Sequence, residues 1–410
     1  MPQNKEFKRT IYYLGNKAKS AKKIDLICAQ LFGKQSSVLD LFAGSGGNSR
    51  QFSVARRVVA NDIQMYSYII NSAILTKSPY SEIDIFTQLR KHDFFEKTSK
   101  IKHQYRKLIS FENKLIEKGN DEDVEIRIRH LSLENQFINS TNLSQRCVLV
   151  DHFGGLYFSY EQACELQALL QIVEELTGTL KTQFLATVLS TASRLSNTIG
   201  NQFAQPLKLL DKGGKIKNSA LLKLRKDRAQ STISIFKKCI GIYTEIDVCS
   251  NDNICRRLLD SNALKEYASN VDFVYADPPY GREHYSRFYH VLETIARNDC
   301  PAVTSYATMI RNDRYQSDFC IKSKVEYAFD KMFCAAKKHN TPLVLSYADQ
   351  SSGTKKRSRV LPIKKIEEIA FRHYNSVQTH IISNRNYSQM NKTSLASEHR
   401  ASREVLLIAT

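Results

Sequence analysis

No stretch of 18 residues in this 410-residue chain is free of charged or strongly polar side chains, which excludes a transmembrane helix of ordinary length. The opening Met-Pro-Gln-Asn-Lys-Glu-Phe-Lys-Arg lacks the apolar core of a secretory signal. The nine cysteines are odd in number and contain no C-x-x-C pair, so neither a disulfide framework nor a zinc knuckle is indicated. No two of the ten histidines stand at i, i+4, and no metal site is expected. Repeats and low-complexity tracts are also lacking. A cytoplasmic protein is the expectation.

Acidic residues are scarce relative to basic ones: 41 Asp plus Glu stand against 60 Lys plus Arg, a net charge of +19. Such an excess repels itself unless a polyanion is the partner, and nucleic acid is the natural choice. The basic residues cluster. The first 35 residues are rich in them, a second group runs from Lys208 to Lys238, and a third is Lys355-Lys356-Arg357. Each alone could be a solvated face, but together they suit one surface that follows a phosphate backbone.

Apolar content of 42% suffices for a substantial core. Two short apolar runs ended by polar turns, 37–42 and 271–276, read as buried parallel strands. Residues 57–62, 342–346 and 404–409 are weaker strands of the same kind, and helical stretches such as 63–75 and 325–338 lie between strands. This alternation predicts an α/β, Rossmann-like sheet covered on both faces, with ligands beyond the carboxyl ends of its strands. Residues 81–240 break the pattern and read as a helix-rich insertion, so that 1–80 and 241–410 form one catalytic domain. Within the insertion, Ser159 and Gln162 have capping-box spacing ahead of a helix over 161–176.

In Asp40-Leu41-Phe42-Ala43-Gly44-Ser45-Gly46-Gly47-Asn48 a strand runs through glycines into a helix, a turn that lets a ligand approach backbone. No lysine follows as in a phosphate-binding loop, and Ser49 stands where a dinucleotide fingerprint needs its third glycine. Asp62 follows about one strand later, placed to accept hydrogen bonds from ribose hydroxyls. A nucleoside without a phosphate tail, such as S-adenosylmethionine, fits this set, although a plain tight turn would explain the glycines.

The strand over 271–276 leads into Asp277-Pro278-Pro279-Tyr280. An exocyclic amine on a base is a weak nucleophile because its lone pair is delocalised, so its hydrogens must be held while nitrogen attacks. The Asp277 carboxylate can accept one and the Pro278 carbonyl the other. Pro278 and Pro279 fix φ and remove two donors, and Tyr280 offers a face on which an extruded base can stack. A rigid loop alone would account for the prolines but not for the acid and the aromatic.

The pairing of this tetrapeptide with the glycine turn resembles the amino-methyltransferases that act on adenine N6 of DNA. An Asp in this place, where cytosine-N4 enzymes more often carry Ser, favours adenine. The resemblance extends to Tyr12-Tyr13-Leu14-Gly15-Asn16-Lys17, similar to the family's segment that closes over the methionine end of the cofactor, and implies cofactor contacts for Tyr13, Gly15, Lys17, Asp40, Phe42, Gly44, Gly46 and Asp62. It also implies that Asp252-Asn253, after a strand over 242–248, bind the cofactor's adenine, with a simple turn as the alternative. The segments 285–294 and 196–206 resemble one bacterial subgroup. A single helix over 285–295 would bury Phe288, Val291, Leu292 and Ile295, leaving Tyr285 and Tyr289 on another face; Tyr285, Arg287 and Tyr289 are candidate DNA contacts with Lys355, Lys356 and Arg357. The resemblance implies S-adenosylmethionine as cofactor, double-stranded DNA as substrate, target recognition in the insertion, and a restriction-modification setting with a cognate endonuclease as further partner. An RNA adenine-N6 or DNA cytosine-N4 methyltransferase, or a catalytically silent DNA-binding relative, are the alternatives.

Overall fold

The computed structural model describes residues 7–15, 17–118, 147–246, 248–279, 281, 284–305, 307–349, 361–387 and 400–410. Tyr280 and the basic triplet Lys355, Lys356 and Arg357 lie outside these residues.

Seven strands form one sheet: β1 Val38–Asp40, β2 Val58–Asn61, β3 Ile254–Arg256, β4 Phe273–Ala276, β5 Leu343–Asp349, β6 Val377–Tyr387 and β7 Arg400–Ala409, in the order β3-β2-β1-β4-β5-β7-β6. The first five in that order run parallel, and β7 is antiparallel to both β5 and β6. Val38 lies opposite both Val58 and Phe273. Side chains therefore alternate in step between two layers. Leu39, Val59 and Val274 join the helices Asp260–Tyr267, Val325–Lys338 and Ile363–Phe371 on one face. Val38, Val58 and Phe273 join Ala18–Phe32 and its neighbours on the other. This is the expected α/β, Rossmann-like architecture. Strand order reverses between β1 and β4, the switch point where open sheets leave a crevice.

The sequence-read strands agree with β1, β2, β4, β5 and β7, but the strand expected over 242–248 does not form. Residues up to Thr244 complete the helix Thr232–Thr244, started by Ser231, whose hydroxyl accepts the Ser234 amide at 3.2 Å. Buried Phe236, Cys239, Ile240 and Tyr243 recur at helical spacing, and that periodicity prevails over the short β-branched run. The strand in this interval is β3, further along.

The segment 81–240 is mostly helical where described, apart from an irregular stretch over 196–217 that carries the Leu210–Ile216 bridge. The helix Tyr160–Glu175 begins with the expected reciprocal cap: Gln162 N–H donates to Ser159 Oγ at 3.0 Å, and Ser159 N–H to Gln162 Oε1 at 3.1 Å. Two helices, Gly178–Leu195 and Thr232–Thr244, pack against Met65–Leu75 and send Ala186 and Cys239 into the core beneath the sheet. The second runs across position 240. Among the described residues no helix is long and apolar enough to cross a membrane.

Candidate active site

A cleft of about 930 Å³, open solvent at its mouth included, lies at the carboxyl ends of β1, β2 and β4. The glycine turn forms its floor. Gly44 and Gly46 have φ of +53° and +80°. A Cβ on Gly44 would stand 2.9 Å from the Tyr13 hydroxyl, and one on Gly46 would stand 2.2 Å from Ile74 Cδ1. Backbone conformation and close packing both require glycine here.

Asp62 pins this turn from the end of β2. Gly44 N–H donates to one carboxylate oxygen and Gln64 N–H to the other, each at 2.9 Å. Burial raises the Asp62 pKa, and the amides of Gln64 and Gly44 draw it back. Nearby, Asn61 accepts from Leu258 N–H at 3.0 Å and donates to the Leu41 carbonyl at 3.2 Å. It thereby fixes the separation between the segments that leave β1 and β3.

Of the residues expected at the cofactor, Tyr13, Gly15, Lys17, Phe42, Gly44 and Asp62 all line the cleft. Asp40, Gly46 and the pair Asp252-Asn253 do not; the Cβ position of Gly46 faces Ile74 and Asn71 instead. Asp40 is 1% exposed and sits beneath the wall, where Ser49 Oγ donates to its carboxylate at 2.6 Å. Burial pushes its pKa up to about 7, the Ser49 hydrogen bond opposing and the charges of Asp277 and Asp62 adding to the rise. Asn253 caps the opposite end of the sheet: Val58 N–H at the start of β2 donates to its Oδ1, and its Nδ2 donates to the carbonyls of Leu75 and Ser250. Asp252 is next to it, its carbonyl accepting from Arg57 Nε. These residues precede β3, whereas the cleft opens where β3 ends. The acid found there is Asp260, beside Leu258. The absence of a strand signal for β3 concealed it.

Asp277 leaves β4 at the cleft, and Pro279 lines the wall with it. One oxygen of Asp277 lies 3.5 Å from Lys17 Nζ, which in turn lies 2.9 Å from Glu404 on β7. Sequence reading missed Glu404, because distant parts of the chain meet here only in three dimensions.

An aromatic stack secures the N-terminal segment. The Tyr13 ring packs on Tyr289 at 4.8 Å and on Tyr285 at 5.4 Å, the latter two lying 6.3 Å apart, and Leu14 N–H donates to the Tyr289 hydroxyl at 2.6 Å. Tyr285 lines the cleft, whereas Tyr289 is fully buried and inaccessible to DNA. The expected single helix is two, Tyr285–Phe288 and His290–Arg297, separated at Tyr289 by φ −123° and ψ 18°. The break turns Tyr289 inward and leaves Phe288 only half-buried. Arg287 is half-buried and outside the cleft lining, its charge acting on Tyr157 and the buried His290. Among the described residues, no cluster of three or more His, Cys, Asp or Glu could hold a metal ion.

A doubly wound sheet whose switch-point cleft joins a glycine turn, an acid at the end of β2 and an Asp-Pro-Pro loop defines a Rossmann-like methyltransferase domain. The chain belongs to the D12 class N6 adenine-specific DNA methyltransferases, whose family model matches residues 13–359. It is similar to modification methylase LlaI of Lactococcus lactis subsp. lactis, with 24% identity over 403 residues covering 96% of this chain and 54% of that protein. Type II methyltransferase M.FokI of Planomicrobium okeanokoites is 24% identical over 319 residues, covering 76% of this chain and 40% of its own. Modification methylase StsI of Streptococcus sanguinis is 28% identical over 124 residues, or 28% and 18% of the two chains. The chain thus spans about half or less of the length of these relatives.

Proposed function

We propose that the protein transfers a methyl group from S-adenosylmethionine to N6 of an adenine taken out of double-stranded DNA, as the modification partner of a restriction endonuclease. The carrying observation is that Asp277 opens onto the same cleft as Gly44, Asp62 and Asp260. Bound S-adenosylmethionine would supply a methyl group on positively charged sulfur. The donor set suits that molecule: Asp62 accepts the ribose hydroxyls, Asp260 faces the adenine edge, and the Tyr13–Lys17 segment covers the amino-acid end.

On the substrate side, Asp277 and the Pro278 carbonyl accept the two amine hydrogens as nitrogen attacks, and Tyr280 supplies the stacking face. Residues 81–240 read the DNA sequence. This assignment is supported by an exposed basic ribbon around the Leu210–Ile216 bridge, where Asp211 Oδ1 accepts the amides of Gly213 and Lys215 and so presents Lys212 and Lys215 at a tight turn. Lys208, Lys226, Lys237 and Lys238 in the same segment are also exposed.

Incubating the protein with methyl-labelled S-adenosylmethionine and unmethylated genomic DNA, then separating the nucleosides, should give label in N6-methyldeoxyadenosine. Label in N4-methyldeoxycytidine, or transfer to RNA alone, would overturn the assignment.

A further inference from the structure

Three segments far apart in sequence converge on one ammonium group. Lys17, 4% exposed, comes from the N-terminal segment, Asp277 from the loop after β4, and Glu404, 1% exposed, from β7, where it pairs with Ala348 of β5. The distances are unequal. Lys17 Nζ is 2.9 Å from Glu404 Oε1, a close ion pair, but 3.5 Å from Asp277 Oδ1. Glu404 is itself fixed, since its other oxygen accepts from Ser20 Oγ at 3.1 Å on the first turn of the helix Ala18–Phe32.

The inequality bears on chemistry. A lysine pressed into full contact with Asp277 would neutralise much of the charge that makes this carboxylate a strong acceptor. A second, closer carboxylate shares the ammonium and holds it back. We propose that Glu404 is a positioning residue for methyl transfer, acting through Lys17 to set the orientation and available charge of Asp277. The proposal rests on the methyltransferase reading above. It differs from a merely structural tie in requiring that the effect of Glu404 pass through Lys17.

The test uses the full chain, labelled S-adenosylmethionine and unmethylated bacterial genomic DNA. Glu404→Gln keeps the shape and removes the charge. Single-turnover transfer should fall roughly tenfold or more while cofactor affinity changes less than about twofold, a split that marks a loss confined to the chemical step. In a Lys17→Met background the same change should cost nothing further, since neighbours acting as one unit are non-additive. Equal losses in both backgrounds, or parallel loss of cofactor binding and transfer, would overturn the proposal. Amine labelling read by mass spectrometry supplies a readout independent of activity: Glu404→Gln should raise the reactivity of Lys17 severalfold, with exposed Lys8 as reference. Unchanged Lys17 reactivity would refute the clamp. A wild type that methylates no DNA, with Lys17 labelling raised in the variant, would instead refute the methyltransferase reading and the catalytic consequence drawn from it.

Discussion

Asp62 and Gly44 are joined by a 2.9 Å hydrogen bond from the glycine amide to the carboxylate. The acid assigned to the ribose thus also fixes the turn beneath it, because the same carboxylate takes the Gln64 amide through its other oxygen. Binding and architecture are coupled at this one side chain.

Asp62→Ala should therefore weaken S-adenosylmethionine binding by more than the loss of ribose contacts alone. Hydrogen bonds to a charged group contribute about 1.5 to 3 kcal/mol each, so calorimetry should register at least a tenfold drop in affinity. Raising the cofactor concentration should restore part of the single-turnover rate, since Asp277 remains in place. Wild-type affinity would contradict the role of Asp62.

Tyr289→Phe separates packing from DNA contact. The variant keeps the stack on Tyr13 but leaves the Leu14 amide without its hydroxyl acceptor, a loss worth about 1 to 3 kcal/mol. Denaturant unfolding should show that decrease, and affinity for duplex DNA without cofactor should stay at the wild-type value. Weaker DNA binding at unchanged stability would return Tyr289 to the DNA-facing surface.

Glu293 makes stability fall with rising pH. Burial pushes its pKa up to about 7 from an ordinary 4.5, while the Tyr66 amide and nearby arginines oppose the shift. The folded state holds this proton more tightly than the unfolded state. Its contribution is therefore complete below about pH 4.5 and is lost as pH rises through about 7. Glu293→Gln should reduce the stability lost between those pH values by on the order of 3 kcal/mol. Asp40, shifted in the same direction, maintains a residual slope. Unfolding curves at pH 5 and pH 8 would reveal the difference; an unchanged slope would refute it.

If the ribbon contacts phosphates, replacing Lys212 and Lys215 by Ala should weaken binding to all DNA sequences alike. The slope of log affinity against log salt should flatten by roughly one unit per lost contact. Altered sequence preference at constant salt dependence would make these lysines base readers instead.

What the sequence made legible follows physical rules. β1 and β4 are short, largely apolar runs, buried throughout and leading into a Gly-rich and a Pro-rich turn, so periodicity and chemistry coincide. β3 is a three-residue edge strand with an exposed Arg256, too short and too open to carry a pattern. Its concealment put the expectation on Asp252, whereas the acid that lines the cleft after β3 is Asp260. β6 escaped for a related reason, since Thr379, His380 and Asn384 give an edge strand the composition of a loop. Tyr285 and Tyr289 looked equivalent at helical spacing, but the backbone break between them sends one to the cleft and the other into the core. Lys17 was identified from its local motif, whereas its partner Glu404, 387 positions later, follows only from the placement of β7 beside β5.

The central claim, that Asp277 holds the amine while the rest of the cleft holds the cofactor, is tested most directly by Asp277→Ala. Calorimetry and single-turnover transfer would be measured on the same preparation with unmethylated genomic DNA. The account predicts cofactor affinity within about threefold of wild type and transfer reduced by roughly 10²- to 10⁴-fold. Wild-type turnover by this variant would contradict it.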